Sequence, residues 1–143
     1  MTQLDEIQST YKRTYPLGPS VTSSRDAYDY LLPKWKDIDY CESFVVLLLS
    51  RGNRVLGAST ISVGSVAGTV ADPKKIFQQA LMANASAIIL SHNHPSGVVK
   101  PSSNDNLVTR KCQEAGKFLD LPVLDHLIIT SESYFSYADE GLL

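Results

Sequence analysis

Two continuous apolar runs constrain the fold of this chain more than any other feature. Residues 44–49 read FVVLLL, and residues 87–90 read AIIL. Both runs have strand length and are rich in branched side chains, so we expect two β-strands. A strand that is apolar at every position is buried on both faces, which requires helices on each side of its sheet. The two runs therefore predict central strands of a helix-covered sheet.

The sequence also predicts the helices that cover this sheet. Ser23 and Asp26 form a capping box ahead of one helix, and Asp72 and Pro73 suit the first positions of a second helix. A third helix is predicted over residues 103–118, where apolar side chains recur at helical spacing.

The remaining strands complete the sheet. The turn RGNR joins the first apolar run to VLGASTISVG at 55–64, which predicts a hairpin, and a further strand is expected at 123–130. Helices alternating with strands, together with one hairpin, predict a three-layer α/β domain whose central sheet is mixed. Residues 1–20 fit either a short helix or an edge strand.

Size and composition indicate one folded unit. The chain has 143 residues, of which 43% are hydrophobic and 20% are charged, as in ordinary globular domains. We expect residues 1–40 to form an extension whose helix packs on the core, and residues 41–143 to form the main domain. Cys41 and Cys112 lie in no metal or redox pattern, so they are interpreted as reduced packing residues.

Net charge and hydropathy indicate where the protein is located and which classes of partner it binds. The chain carries 13 basic and 15 acidic residues, a formal charge of −2, so a general attraction to nucleic acid is not expected. Binding to DNA would need a local basic patch. Neither a membrane span nor a signal peptide is apparent, which predicts a cytoplasmic protein without membrane contact. The oligomeric state is left open.

A pair of histidines is the strongest chemical signal. His92 and His94 follow the second apolar run and are separated by one residue, so both side chains should leave the same face at the carboxyl end of a central strand. Asp105, eleven positions after His94, could supply the third ligand of a Zn²⁺ site. Structural interpretations remain open, because H-x-H pairs occur without metal and Ser102 with Asp105 fits a helix capping box.

These residues also match a family signature. The string HNHPSG at 92–97, followed by KPS at 100–102 and by Asp105, resembles the H-x-H, seven residues, S-x-x-D signature of JAB/MPN metalloenzymes, the JAMM motif, as found in RadC-family proteins. The segments NASAIIL at 84–90 and LDHLII at 124–129 are similar too. The resemblance covers about residues 40–143. The preceding residues lack the helix-hairpin-helix module that often precedes this domain in longer RadC relatives.

The resemblance implies a fold, a cofactor and roles for individual residues. It implies a JAB/MPN-like architecture, related to that of cytidine deaminases, and one Zn²⁺ per chain held by His92, His94 and Asp105. Glu42 would be the general base, and Ser102 would donate a hydrogen bond to the oxyanion. The implied activity is metal-dependent hydrolysis of peptide or isopeptide bonds in an unidentified substrate. Without the resemblance, Glu42 is interpreted as a solvated charge at the start of a strand.

Two further residues and two further functions stay open. Asp125 and His126 are candidates for hydrogen-bonding to the metal ligands without touching the metal, and both also suit a purely structural role. The first alternative function is a DNA repair or recombination accessory that binds nucleic acid or a protein partner without catalysis. The second is a noncatalytic interaction module that keeps the same fold.

Overall fold

A computed structural model describes residues 3–64 and 71–143, and within them the predicted mixed sheet forms. Its five strands lie in the order β2-β1-β3-β4-β5. Strands β1 and β3 are antiparallel, β3 and β4 are parallel, and the two outer pairs are antiparallel. The strands are β1 (Ser43–Leu49), β2 (Val55–Val63), β3 (Ala87–Asn93), β4 (Val123–Ile129) and β5 (Tyr134–Ser136).

Helices cover both faces of the sheet. Alternate residues of β1 and β3 point to opposite sides, and each side has its own core cluster. One cluster packs under the second and third helices, and the other packs under the first. The predicted three-layer α/β fold is therefore confirmed. The helices are α1 (Ser24–Leu31), α2 (Pro73–Met82) and α3 (Ser103–Phe118).

Each helix begins where its capping residues indicate. Ser23 accepts a hydrogen bond from the backbone N–H of Asp26, and Asp72 accepts one from the N–H of Lys74. These bonds satisfy backbone donors that the first turn of a helix leaves unpaired. Ser102 caps α3 in the same way.

The N-terminal segment joins the fold mainly at its end. Residues 3–19 carry neither a helix nor a strand, so neither of the two structures that suit the sequence forms there. Ser20 makes an isolated bridge to Arg54, whose guanidinium also donates to the backbone oxygens of Leu17 and Gly18. Helix α1 contributes buried side chains to the core. The domain division at residue 40 stays a prediction.

Candidate metal centre

The β3–α3–β4 unit brings the two histidines to one end of the sheet. The parallel pairing of β3 with β4 makes α3 a crossover helix, whose first turn returns to the carboxyl end of β3. His92 lies near the end of β3 and is buried, whereas His94 follows the strand and is half-buried. Asp105 lies in the first turn of α3. Ligands of α/β proteins commonly bind at this edge of a sheet.

Three side chains converge there at metal-like separations. The Nε2 atoms of His92 and His94 are 3.0 Å apart. One carboxylate oxygen of Asp105 lies 3.3 Å from Nε2 of His92, and the other lies 3.5 Å from Nε2 of His94. In a tetrahedral zinc site with bonds of about 2.0–2.1 Å, the ligand atoms are about 3.3 Å apart. The donor set therefore fits a small divalent cation.

A backbone carbonyl determines which ring nitrogen of His94 carries the proton. Nδ1 of His94 lies 2.7 Å from the carbonyl oxygen of Val98, which can only accept, so Nδ1 carries the proton. The lone pair of Nε2 then faces the cluster. When His94 is protonated, Nε2 can donate to Asp105, and this hydrogen bond raises the pKa of His94 despite partial burial; the bond with Val98 acts in the same direction.

The capping box of α3 orients the carboxylate of Asp105. The hydroxyl of Ser102 accepts from the backbone N–H of Asp105 at 3.0 Å, and Asp105 accepts from the backbone N–H of Ser102 at 2.9 Å. Burial alone would raise the pKa of the Asp105 carboxyl, but the neighbouring imidazoles of His92 and His94 hold it well below its ordinary value. Asp105 therefore reaches the cluster as a carboxylate.

A second carboxylate lies beside the histidines. Glu42 immediately precedes β1, and a carboxylate oxygen of Glu42 lies within 4.8 Å of ring nitrogens of both His92 and His94. The pairing of Phe44 with His92 in the sheet explains this approach, because it places the start of β1 beside the end of β3. The described residues thus contain a histidine and carboxylate cluster that could hold a metal ion.

Sequence reasoning missed Asn93, which lies between the two histidines. Asn93 is fully buried, and its side-chain oxygen accepts from the backbone N–H of Ser43 at 2.7 Å. Its amide nitrogen donates to the carbonyl oxygens of Ile38 and Cys41, each at 2.8 Å. These bonds hold the backbone on both sides of Glu42. The available signal was an amide side chain next to a buried apolar strand.

Of the two further candidates, only His126 contacts a predicted ligand. Nε2 of His126 lies 2.8 Å from Nδ1 of His92. Full burial lowers the pKa of His126 well below its ordinary value, and the charge of His92 acts in the same direction. Asp125 points to the opposite face of β4, where its carboxylate accepts from the hydroxyl of Ser136 and the backbone N–H of Ala138. Burial raises the pKa of that carboxyl.

Comparison with known proteins decides the family. Residues 21–142 match the sequence profile described as the RadC-like JAB domain. The chain belongs to this RadC-like JAB family. The match begins upstream of residue 40 and so includes α1 as well as the sheet.

Three curated relatives are about 40% identical to this chain. The chain is 42% identical over 122 residues to a "UPF0758 protein" of Flavobacterium johnsoniae, covering 85% of this chain and 53% of the relative. A protein of the same name from Rubrobacter xylanophilus is 41% identical over 128 residues, covering 90% of this chain and 56% of the relative. "UPF0758 protein Mbar_A2303" of Methanosarcina barkeri is 39% identical over 123 residues, with coverages of 86% and 53%. The chain spans about half the length of these relatives.

Among the helices of the described residues, none combines the length and the apolar character that crossing a bilayer requires.

Proposed function

We propose that this RadC-like domain is a zinc-dependent hydrolase of peptide or isopeptide bonds. The observation that carries the proposal is the convergence of three side chains: Nε2 of His92 and Nε2 of His94 are 3.0 Å apart, and the two carboxylate oxygens of Asp105 lie 3.3 and 3.5 Å from them. Two imidazoles and one carboxylate leave one tetrahedral position for water or substrate, which is the arrangement of catalytic zinc sites. When bound, such a cation polarises a carbonyl group and lowers the pKa of water.

The remaining chemistry belongs to the chain. In the proposed reaction, Glu42 accepts a proton from the attacking water while the new carbon–oxygen bond forms. Glu42 then returns that proton to the leaving nitrogen as the carbon–nitrogen bond breaks. The hydroxyl oxygen of Ser102 already accepts from the backbone N–H of Asp105, so its own hydrogen can be donated to the carbonyl oxygen as negative charge develops there.

The proposed roles of Glu42 and His92 can be separated by experiment. Glu42→Gln keeps the size of the side chain but removes the base, so we expect an unchanged zinc content and a loss of hydrolysis of about 100-fold or more. His92→Ala should lose both zinc and activity. Zinc is measured by elemental mass spectrometry, and hydrolysis is measured with peptide and isopeptide-linked substrate libraries.

Glu114→Gln is the matched control, because Glu114 is an exposed glutamate of α3. This variant should keep zinc and activity. Full hydrolysis by Glu42→Gln would contradict the proposed base, and loss of zinc in that variant would make Glu42 a metal ligand instead. Absence of zinc from the parent protein after incubation with the metal would refute the proposed function.

A further inference from the structure

The side chain of His126 lies beneath the proposed metal ligands. It is fully buried in β4, where its Nε2 atom lies 2.8 Å from Nδ1 of His92. Its other ring nitrogen, Nδ1, lies 2.6 Å from the hydroxyl oxygen of Thr109 in α3. Thr109 is also buried, and its hydroxyl donates to the carbonyl oxygen of Asp105 at 2.7 Å, one helical turn earlier. These hydrogen bonds connect His92 to Asp105, which are two of the proposed ligands.

The direction of these hydrogen bonds follows from the hydroxyl of Thr109. A hydroxyl has one proton, and here that proton is donated to a carbonyl oxygen, which cannot donate in return. The oxygen of Thr109 must therefore accept from His126, which places a proton on Nδ1 of His126. In the neutral ring, Nε2 of His126 is then an acceptor, and Nδ1–H of His92 donates a hydrogen bond to it. Nε2 of His92 is left as the ligand atom.

Aromatic neighbours hold the ring of His126 in this orientation. The ring of Tyr137 stacks on it with centroids 4.9 Å apart and an angle of 11° between the planes. Phe44 contacts it from another side, with centroids 5.6 Å apart and an angle of 62°. The hydroxyl of Tyr137 donates to Asn106 of α3, which fixes the stacking partner as well. Rotation of the imidazole would disturb all of these contacts.

We propose that Thr109 and His126 are positioning residues that select Nε2 of His92 as the metal ligand. Hydrogen bonds through His126 and Thr109 join Nδ1 of His92 to the backbone carbonyl of Asp105. The Nε2 atom of His92 and the carboxylate of Asp105 would both hold a bound cation, which would close the path. The path ties a ligand of β3 to a ligand of α3. The inference rests on the cation site of the proposed function, and it adds a mechanism for setting the affinity of that site.

Removing one hydroxyl tests this path. Thr109→Val keeps the shape of the side chain but leaves Nδ1 of His126 without an acceptor, so His126 can move its proton to Nε2. Nδ1 of His92 must then accept, and the proton of His92 moves to its ligand atom. We expect the Kd for zinc to rise by about 10–100-fold, as measured by calorimetry. Thr109→Ser restores a hydroxyl and should restore the wild-type Kd.

Histidine nitrogen NMR gives a readout that loss of packing would not produce. In the metal-free parent we expect the proton of neutral His126 on Nδ1, and in Thr109→Val we expect it on Nε2. Thr130→Val is the matched control, because Thr130 is a buried threonine whose hydroxyl donates to the carbonyl oxygen of Ser133 instead. This control should change neither the Kd nor the tautomer. If Thr109→Val does not fold, Thr109→Ala takes its place.

The outcomes separate this inference from the proposed function. Failure of the parent to bind zinc would refute the proposed function and the affinity role, while the NMR spectra would still test the direction of the hydrogen bonds. Unchanged zinc affinity and an unchanged His126 tautomer in Thr109→Val, with zinc bound by the parent, would overturn the positioning role alone. Weaker binding without a change of tautomer would also overturn it, since loss of packing would then be the cause.

Discussion

At the scale of single residues, Asp105 shows that a structural and a chemical interpretation of one motif can both hold. The sequence allowed the S-x-x-D pattern to be either a helix cap or part of a metal site. In the structure the carboxylate of Asp105 caps α3 and also faces both histidines. The N–H groups of the first helical turn favour a negative charge there. The cap therefore helps to keep a charged carboxylate beside the two histidines.

The raised pKa of His94 makes zinc affinity depend on pH. Below that pKa a proton competes with zinc for Nε2 of His94, so affinity should fall by about tenfold for each unit of decreasing pH. Because the hydrogen bond with Asp105 raises the pKa above its ordinary value, the decline should begin above about pH 6.5. Calorimetry in buffers of different ionisation enthalpy should detect about one proton released per zinc below this pKa.

The folding stability of the metal-free protein should depend on pH in the opposite direction to zinc affinity: the contribution of His94 to stability should increase as the pH falls. A raised histidine pKa stabilises the fold fully below the unfolded-state pKa, and this contribution is lost as the pH rises through the folded-state pKa. The stability difference between the parent and Asp105→Asn should therefore be larger near pH 5.5 than near pH 8, as measured by denaturant unfolding.

A zinc affinity that does not change between pH 5.5 and pH 8 would contradict the assignment of His94 as a ligand.

At the scale of helices and strands, local sequence patterns predicted most of the elements. Contacts that depend on the pairing of distant strands were not predictable from these patterns. The apolar runs and the caps at Ser23, Asp72 and Ser102 predicted the central strands and all three described helices. The signature around His92 likewise predicted which side chains meet. The role of Asn93 was not predictable, because it depends on the pairing of β1 with β3, which brings the backbone of Ser43 to its side chain.

Asn93 joins the segment before β1 to the end of β3, and its substitution should loosen both. In Asn93→Asp the second carboxylate oxygen would face the carbonyl oxygens of Ile38 and Cys41, to which the amide now donates. Each buried polar group left unpaired costs about 1–3 kcal/mol, so the free energy of unfolding should fall by at least that amount. Hydrolysis should fall further than zinc affinity, since Glu42 would lose its orientation while His92, His94 and Asp105 remain.

Asn53→Asp is the control for this substitution, because Asn53 is exposed in the turn between β1 and β2. Urea unfolding gives the stability of both variants, and calorimetry gives their zinc affinity. Equal stability of Asn93→Asp and the parent would show that the three hydrogen bonds do not hold the segment around Glu42.

At the scale of the whole molecule, the proposed metal site connects separate parts of the fold. Its predicted ligands come from the end of β3, the following loop and the first turn of α3, and the proposed base precedes β1. A cation bound there would bridge the sheet to one helical layer. Because the unfolded chain does not bring these residues together, binding should favour the folded state.

Zinc should therefore raise the thermal stability of the whole domain. At a free zinc concentration of 100 times Kd the expected gain is about 2.7 kcal/mol. For a chain of this size that corresponds to a rise in Tm of about 5–10 °C. Differential scanning calorimetry with zinc and with a chelator measures this shift. His92→Ala should abolish the shift, because it removes a buried ligand.

Two substitutions of helix-capping aspartates separate ligation from capping. Asp105→Asn keeps an oxygen that can cap α3 but loses the carboxylate ligand, so it should lose most of the zinc-dependent shift. Asp72→Asn makes the same chemical change at the start of α2, where the side chain accepts from the backbone N–H of Lys74. It should keep the full shift, because asparagine is as good a cap as aspartate. An equal zinc shift in both variants would show that the stabilisation arises at another site, and the proposed ligand set would then be wrong.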